Sequence, residues 1–86
     1  MTVLYFLIVN YNSSELIRRL VASLGVYSPG KYKILIINNS PDDREILKLR
    51  TEEITIIAAQ DNLGFGKACN LGLNWIYTQN KRAIVW

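Results

Sequence analysis

The sequence predicts an α/β fold in which helices cover both faces of a parallel sheet. Two observations predict it. Short apolar runs rich in β-branched residues alternate with segments of helical period, and each of the first three runs ends in a polar turn. Strands that alternate with helices imply right-handed crossovers, and therefore parallel pairing, as in a Rossmann-like half. We expect the strand order 3-2-1-4.

Composition limits the size and the chemistry of this domain. The 86 residues, half of them hydrophobic, suffice for one domain over residues 1–86. The net charge of +3 is spread along the chain, so we expect no nucleic-acid partner. There is no histidine, and Cys69 is the single cysteine, which excludes an intrachain disulfide. A reduced, cytoplasmic setting is expected.

The first strand and helix are predicted within residues 3–25. Residues 3–9 form a continuous apolar run that is far shorter than the about 20 residues of a membrane span, so we interpret it as a buried strand. Asn12 and Glu15 have the spacing of a capping box, which predicts the start of a helix. Gly25 is expected to end that helix.

The next strand is predicted over residues 32–37, and a polar turn follows it. Ser40 is a natural N-cap and Pro41 a natural first helical residue, so a short amphipathic helix is expected after them. The third strand is predicted over residues 54–59. Each of these strands therefore leads into a helix through polar residues.

A glycine-rich turn opens the last predicted helix, which extends to about Asn80. Gly64 and Gly66 lie where this helix should begin, although glycine weakens a helix by up to about 1 kcal/mol relative to alanine. The glycines therefore suggest close approach of another backbone or of a ligand. Residues 83–86 are predicted to form a fourth strand.

Three polar clusters are expected to share one edge of the sheet. In a parallel sheet the strand-to-helix loops emerge at the carboxyl ends of the strands, where ligands bind. The clusters are residues 10–12, 38–42 and 60–62. Because they offer amides, hydroxyls and backbone N–H groups, we expect them to recognise a polar, anionic small molecule rather than to attack a bond.

Each of these side chains also has a purely structural interpretation. Asn12 and Ser40 could be helix caps alone, and Asp42 a partner of the helix dipole. Tyr11 could be a half-buried packing residue. Lys67 could be a solvated surface lysine, although a cation near a helix start is unfavourable unless an anion binds there.

Three segments resemble, in order and spacing, the start of family-2 glycosyltransferases of the GT-A fold, especially rhamnosyltransferase-like bacterial members. They are IVNYNS at 8–13, IINNSPD at 36–42 and NLGFGKACNLG at 62–72, of which the third is the most specific. The resemblance covers essentially the whole chain. It implies a nucleotide-diphosphate-sugar-binding half of an inverting enzyme that transfers sugar to an acceptor hydroxyl.

The resemblance also implies which residues meet the donor. They are Asn10, Tyr11, Asn12, Asn38, Ser40, Asp42, Asn62, Gly64 and Lys67. The family usually has an aspartate before the asparagine of the second loop, where this chain has Ile37; shifting the alignment by one residue places Asn38 there instead.

The resemblance implies that Mg or Mn holds the diphosphate in the complete enzyme. The family's metal motif follows the fourth strand and its base lies further on, so these 86 residues are expected to contain no catalytic residue and no metal ligand. We therefore expect the chain alone to be inactive. A role in polysaccharide biosynthesis with a membrane-associated acceptor would place the enzyme at the inner face of the membrane.

Two other interpretations stay open. The chain could be a non-catalytic nucleotide-binding or regulatory module that kept the fold. It could also act by association, because a fourth strand over residues 83–86 would be an open apolar edge. That edge could pair with a second copy or with the missing C-terminal half.

Overall fold

The computed structural model describes residues 4–27, 32–59, 64–80 and 83–85. Seven elements lie in these ranges: β1 (Leu4–Asn10), α1 (Ser14–Tyr27), β2 (Tyr32–Asn38), a 3₁₀ helix (Glu45–Leu49), β3 (Ile54–Ala58), α2 (Phe65–Gln79) and β4 (Ile84–Val85). No helix within these ranges is long and apolar enough to cross a membrane.

The four strands form one parallel sheet in the order β3-β2-β1-β4, which confirms the predicted topology. β1 and β2 pair along their whole length, from Leu4 opposite Tyr32 to Asn10 opposite Asn38. Both strands therefore end at the same level. The loops that follow them leave the sheet side by side.

Alternation along the strands divides the core into two layers. Odd-numbered strand residues such as Tyr5, Leu35 and Ile37 pack toward α2. Even-numbered residues such as Ile34 and Ile36 pack toward α1 and the 3₁₀ helix. The two layers confirm that helices cover both faces, and they explain why β2 is an uninterrupted apolar run.

The predicted capping box at the start of α1 is wrong. The helix begins at Ser14, and Asn12 has a positive φ of 50°. The backbone N–H of Asn12 donates to Ser40 Oγ over 2.8 Å, whereas Glu15 pairs with Arg18. A contact with another loop therefore replaces the local cap. The expected end at Gly25 is also wrong, because α1 continues to Tyr27.

Ser40 does not begin a helix. The N–H of Asp43 donates to the carbonyl of Ser40 over 2.9 Å, which closes a turn around Pro41 and Asp42. The following helix begins only at Glu45, and it is a five-residue 3₁₀ helix. Arg44 occupies the N-cap position of this helix, and the Ser40 hydroxyl accepts from the first loop instead.

The glycines of α2 have two different roles. Gly64, directly before the helix, has φ 78° and ψ 161°, a conformation that favours glycine strongly. At Gly72 a Cβ atom would collide with Leu7 and would lie 3.3 Å from Cγ1 of Ile37. The close approach of another backbone expected at Gly64 and Gly66 is not seen among the described residues; α2 approaches the sheet closely at Gly72 instead.

Candidate functional site

A buried amide joins the carboxyl ends of β1 and β2. Asn10 is 0% exposed. Its Nδ2 donates to Oδ1 of Asn38 and to Oδ2 of Asp43, both over 3.0 Å. Its Oδ1 accepts from the backbone N–H of Ser13 over 2.8 Å. One side chain thus binds the end of the neighbouring strand, the turn after that strand and the start of α1.

Ser40 makes the second link between the two loops. Its backbone N–H donates to Oδ1 of Asn38 over 3.2 Å, and its hydroxyl accepts from the N–H of Asn12. The N–H of Asn39 donates to the carbonyl of Asn10 over 3.1 Å. Residues 10–13 and 38–43 therefore form one hydrogen-bonded unit, which we call the edge network.

An open cleft of about 250 Å³ lies beside this unit, between the start of α1 and the 3₁₀ helix. It is lined by Ser14, Glu15, Arg18, Glu45, Lys48 and Leu49. The hydrogen bond from Arg18 lowers the pKa of Glu15 below its ordinary value. The Glu15–Arg18 and Glu45–Lys48 pairs are exposed, so their effect is to give the cleft a mixed, balanced charge rather than to stabilise the fold.

The edge network contains six of the predicted ligand residues, and three of them are buried. Asn10, Asn38 and Ser40 are all buried there. Asn10 has no exposed surface, so its part in any site is to hold its neighbours in place. Asn62 lies outside the described residues.

The other predicted residues are more accessible. Tyr11 is partly buried, and Asn12 is exposed in the loop before α1. Asp42 is exposed in the turn after β2, while Gly64 and Lys67 are exposed at the start of α2. All five follow the carboxyl end of a strand, which is the edge that the sequence predicts as the ligand edge.

Two hydrogen-bonding partners of the Asn10 side chain were not among the predicted site residues. The carboxylate of Asp43 accepts from the Asn10 amide. Ser13 supplies the backbone N–H that holds the other end of the Asn10 amide. The available signal was that two buried strands both end in asparagine, at Asn10 and Asn38.

The edge network is a poor match for a divalent cation. Among the described residues no group of three histidine, cysteine, aspartate or glutamate side chains could hold a metal ion. The network offers amides and a hydroxyl, and the carboxylate of Asp43 accepts a hydrogen bond from Asn10. Since Mg and Mn prefer several oxygen ligands that include carboxylates, the described residues do not fit the metal that the resemblance implies.

Residues 5–86 match the family described as Glycosyl transferase family 2. The chain belongs to this family. Glycosyl transferase family 2 membership implies a nucleotide-sugar donor, and the parallel sheet ordered 3-2-1-4 is consistent with the N-terminal half of the GT-A fold. The comparisons with curated proteins and with solved structures found no match.

Proposed function

We propose that the carboxyl edge of the sheet binds the nucleoside diphosphate part of a nucleotide sugar. The observation that carries this proposal is the edge network, which fixes two adjacent loops through Asn10. A preorganised loop pair loses little conformational freedom when a ligand binds, and such sites favour tight, oriented recognition. Tyr11 and Asn12 would meet the base and ribose, with Asn38 beneath them.

The start of α2 would receive the diphosphate. Lys67 is exposed in the first turn of this helix, where backbone N–H groups and the helix dipole already attract anions. At Gly64 and Gly66 an added Cβ would meet no atom within 4 Å, so the described residues leave room on this surface. A phosphate there would also balance the charge of Lys67.

The packing of β2 favours one alignment with the family's base-contacting aspartate. Ile37 is 0% exposed and lies in the core layer beneath α2. The next residue, Asn38, belongs to the edge network. We therefore assign Asn38, rather than Ile37, to the position of that aspartate.

We further propose that the complete enzyme inverts the anomeric centre. The acceptor hydroxyl gives its proton to the family's base, which is not among these residues, while its oxygen forms a bond to the anomeric carbon and the nucleoside diphosphate departs with the electrons of the broken C–O bond. The chain's described residues would bind and orient the donor in this reaction. We propose that the complete enzyme resembles rhamnosyltransferase-like bacterial members of the family, that its acceptor in polysaccharide synthesis is membrane-associated, and that the 86-residue chain alone performs no transfer; hydrolysis or transfer of a nucleotide sugar by that chain would contradict the last point.

Nucleotide titration tests the proposed binding. The 86-residue chain is titrated with UDP, CDP, dTDP, GDP and ADP by calorimetry, and amide shifts are followed by NMR. We expect saturable binding of at least one nucleotide, with shifts concentrated in the edge network and at the start of α2. Absence of saturable binding for all five nucleotides would refute the proposal.

A matched pair of variants locates the site. Asn38→Ala should weaken nucleotide binding, whereas Lys33→Ala should not, because Lys33 is exposed near the amino end of the same strand. Equal weakening by both variants would show that binding does not occur at the carboxyl edge.

The edge strand favours association as a second candidate function. Ile84 of β4 is 54% exposed at one edge of the described sheet, and β4 pairs with β1 alone among the described strands. Exposed apolar edge strands tend to pair with other chains. We expect concentration-dependent sedimentation that Ile84→Lys reduces, and a strictly monomeric profile at high concentration would exclude this function.

A further inference from the structure

The edge network fixes which way the Asn10 amide faces. A backbone N–H can only donate and an ionised carboxylate can only accept. Because the Ser13 N–H meets one end of the Asn10 amide, that end must be the oxygen. Because the Asp43 carboxylate meets the other end, that end must be the nitrogen.

The orientation of the Asn38 amide follows from its partners in the same way. One side-chain atom of Asn38 receives both the Nδ2 group of Asn10 and the backbone N–H of Ser40. Both partners are donors, so this atom must be Oδ1. The Nδ2 group of Asn38 is thereby left as the hydrogen-bonding group that faces away from the network.

The Nδ2 group of Asn38 is the part of this side chain that is left for a ligand, although the residue is only 4% exposed. It makes no hydrogen bond to any residue in the described ranges. No side-chain nitrogen or oxygen in that part of the chain is both buried and without a partner, so this nitrogen reaches the surface. Asn38 therefore presents two N–H donors and no acceptor to the carboxyl edge.

We propose that Asn38 is a specificity-determining residue that selects cytosine over uracil, an inference that rests on the proposed nucleotide binding at this edge. The two bases have almost the same shape. Cytosine presents two neighbouring acceptors, N3 and O2, whereas uracil presents an N3–H donor between two carbonyl oxygens. We place the Asn38 amide opposite N3 and O2 of the base, where cytosine accepts from both donors and uracil presents its N3–H to one of them, and a buried donor that faces a donor is costly.

The first test compares nucleotides on the unaltered chain. CDP should bind about tenfold more tightly than UDP, the ratio expected for one mismatched hydrogen bond. The diphosphate of 3-deazacytidine, in which C–H replaces N3, should bind about tenfold more weakly than CDP. Both comparisons are independent of any effect of a substitution on folding.

Asn38→Asp provides the second test. An aspartate can still accept from Asn10 and Ser40 through one oxygen, and it places an acceptor where Nδ2 lies. Its added charge disfavours CDP and UDP alike. The ratio of the two affinities therefore reports whether residue 38 donates or accepts the hydrogen bond to the base. We expect this ratio to reverse in favour of UDP. Asn74→Asp, which adds the same charge on the exposed surface of α2 and outside the edge network, is the matched control and should keep the preference for CDP.

The outcomes separate this inference from the proposed function. If CDP and UDP bind equally, if UDP binds more tightly, or if the ratio is the same in Asn38→Asp, the inference is wrong and nucleotide binding stands. If neither nucleotide binds, the proposed function fails and the inference fails with it. A CDP preference that depends on N3 and reverses in Asn38→Asp supports both.

Discussion

The side-chain amides of Asn10 and Asn38 share a hydrogen bond of 3.0 Å across 28 positions of sequence. The two residues are also the last backbone pair of β1 and β2. Strand pairing and side-chain bonding therefore fix the same point of the fold. The loops that follow Asn10 and Asn38 therefore begin at fixed positions relative to each other.

Loss of the Asn10 amide should destabilise the chain. Asn10→Ala removes three hydrogen bonds and leaves the partners on Ser13, Asn38 and Asp43 without that contact. We expect the free energy of unfolding to fall by about 2 to 3 kcal/mol, measured by urea denaturation. Asn74→Ala, on the exposed surface of α2, is the control and should change it by less than about 0.5 kcal/mol. A loss below about 1 kcal/mol in Asn10→Ala would show that water replaces the amide readily.

Gly72→Ala should be destabilising although alanine is the better helix former. The added Cβ would collide with Leu7 and press on Ile37, both in the core layer beneath α2. Overpacking of this kind exceeds the gain in helix propensity, so we expect a net loss of about 1 to 2 kcal/mol in thermal or urea unfolding. Gly66→Ala, where the new Cβ has open space, should instead stabilise by about 0.5 to 1 kcal/mol. Equal stability of the two variants would contradict the close approach of α2 to the sheet.

Gly64→Ala tests backbone conformation without a steric contact. An added Cβ would meet no atom within 4 Å, yet φ 78° with ψ 161° is strained for any residue with a side chain. We expect a loss of about 1 to 2 kcal/mol in the free energy of unfolding. Gly66→Ala again serves as the control, since it lies two residues further into the same helix. A stabilised Gly64→Ala variant would mean that another backbone conformation is freely accessible there.

Lys67→Ala should weaken binding of the diphosphate while sparing the nucleoside. If Lys67 contacts phosphate as proposed, its removal should reduce the affinity for a nucleoside diphosphate about fivefold, as for one partly screened charged hydrogen bond. Affinity for the corresponding nucleoside should not change. Lys33→Ala removes the same charge from the other end of the sheet and should affect neither ligand. A parallel loss of nucleoside affinity in Lys67→Ala would instead assign this lysine to the base or ribose.

The layered fold could be predicted from the sequence because its signal is local. Each strand of the sheet is an apolar run, and each helix after it has an apolar period that only one face of the sheet can bury. The alternation of these segments then restricts the topology to parallel crossovers. The expected strand order 3-2-1-4 came with the Rossmann-like architecture rather than from these local signals, and the structure confirms it.

The details of the loops could not be predicted in the same way. Asn12 and Ser40 each have the local chemistry of a helix cap, but their groups bond to each other across 28 positions. A hydrogen bond between residues so far apart in the sequence depends on the register of the two strands. The residue pattern of a helix cap carries no information on that register. The contact of Asp43 could not be predicted for the same reason, because its partner Asn10 lies at the end of β1.

The alternation of strand residues between two core layers also limits how this sequence can evolve. One residue inserted or deleted within β1 or β2 would exchange the faces of every later side chain in that strand, including Asn10 or Asn38. Such a change would bury polar groups beneath a helix and break the link between the loops. Tolerated changes in chain length should therefore fall outside the edge network, as in the turn before β3, where Thr51, Glu52 and Glu53 are exposed.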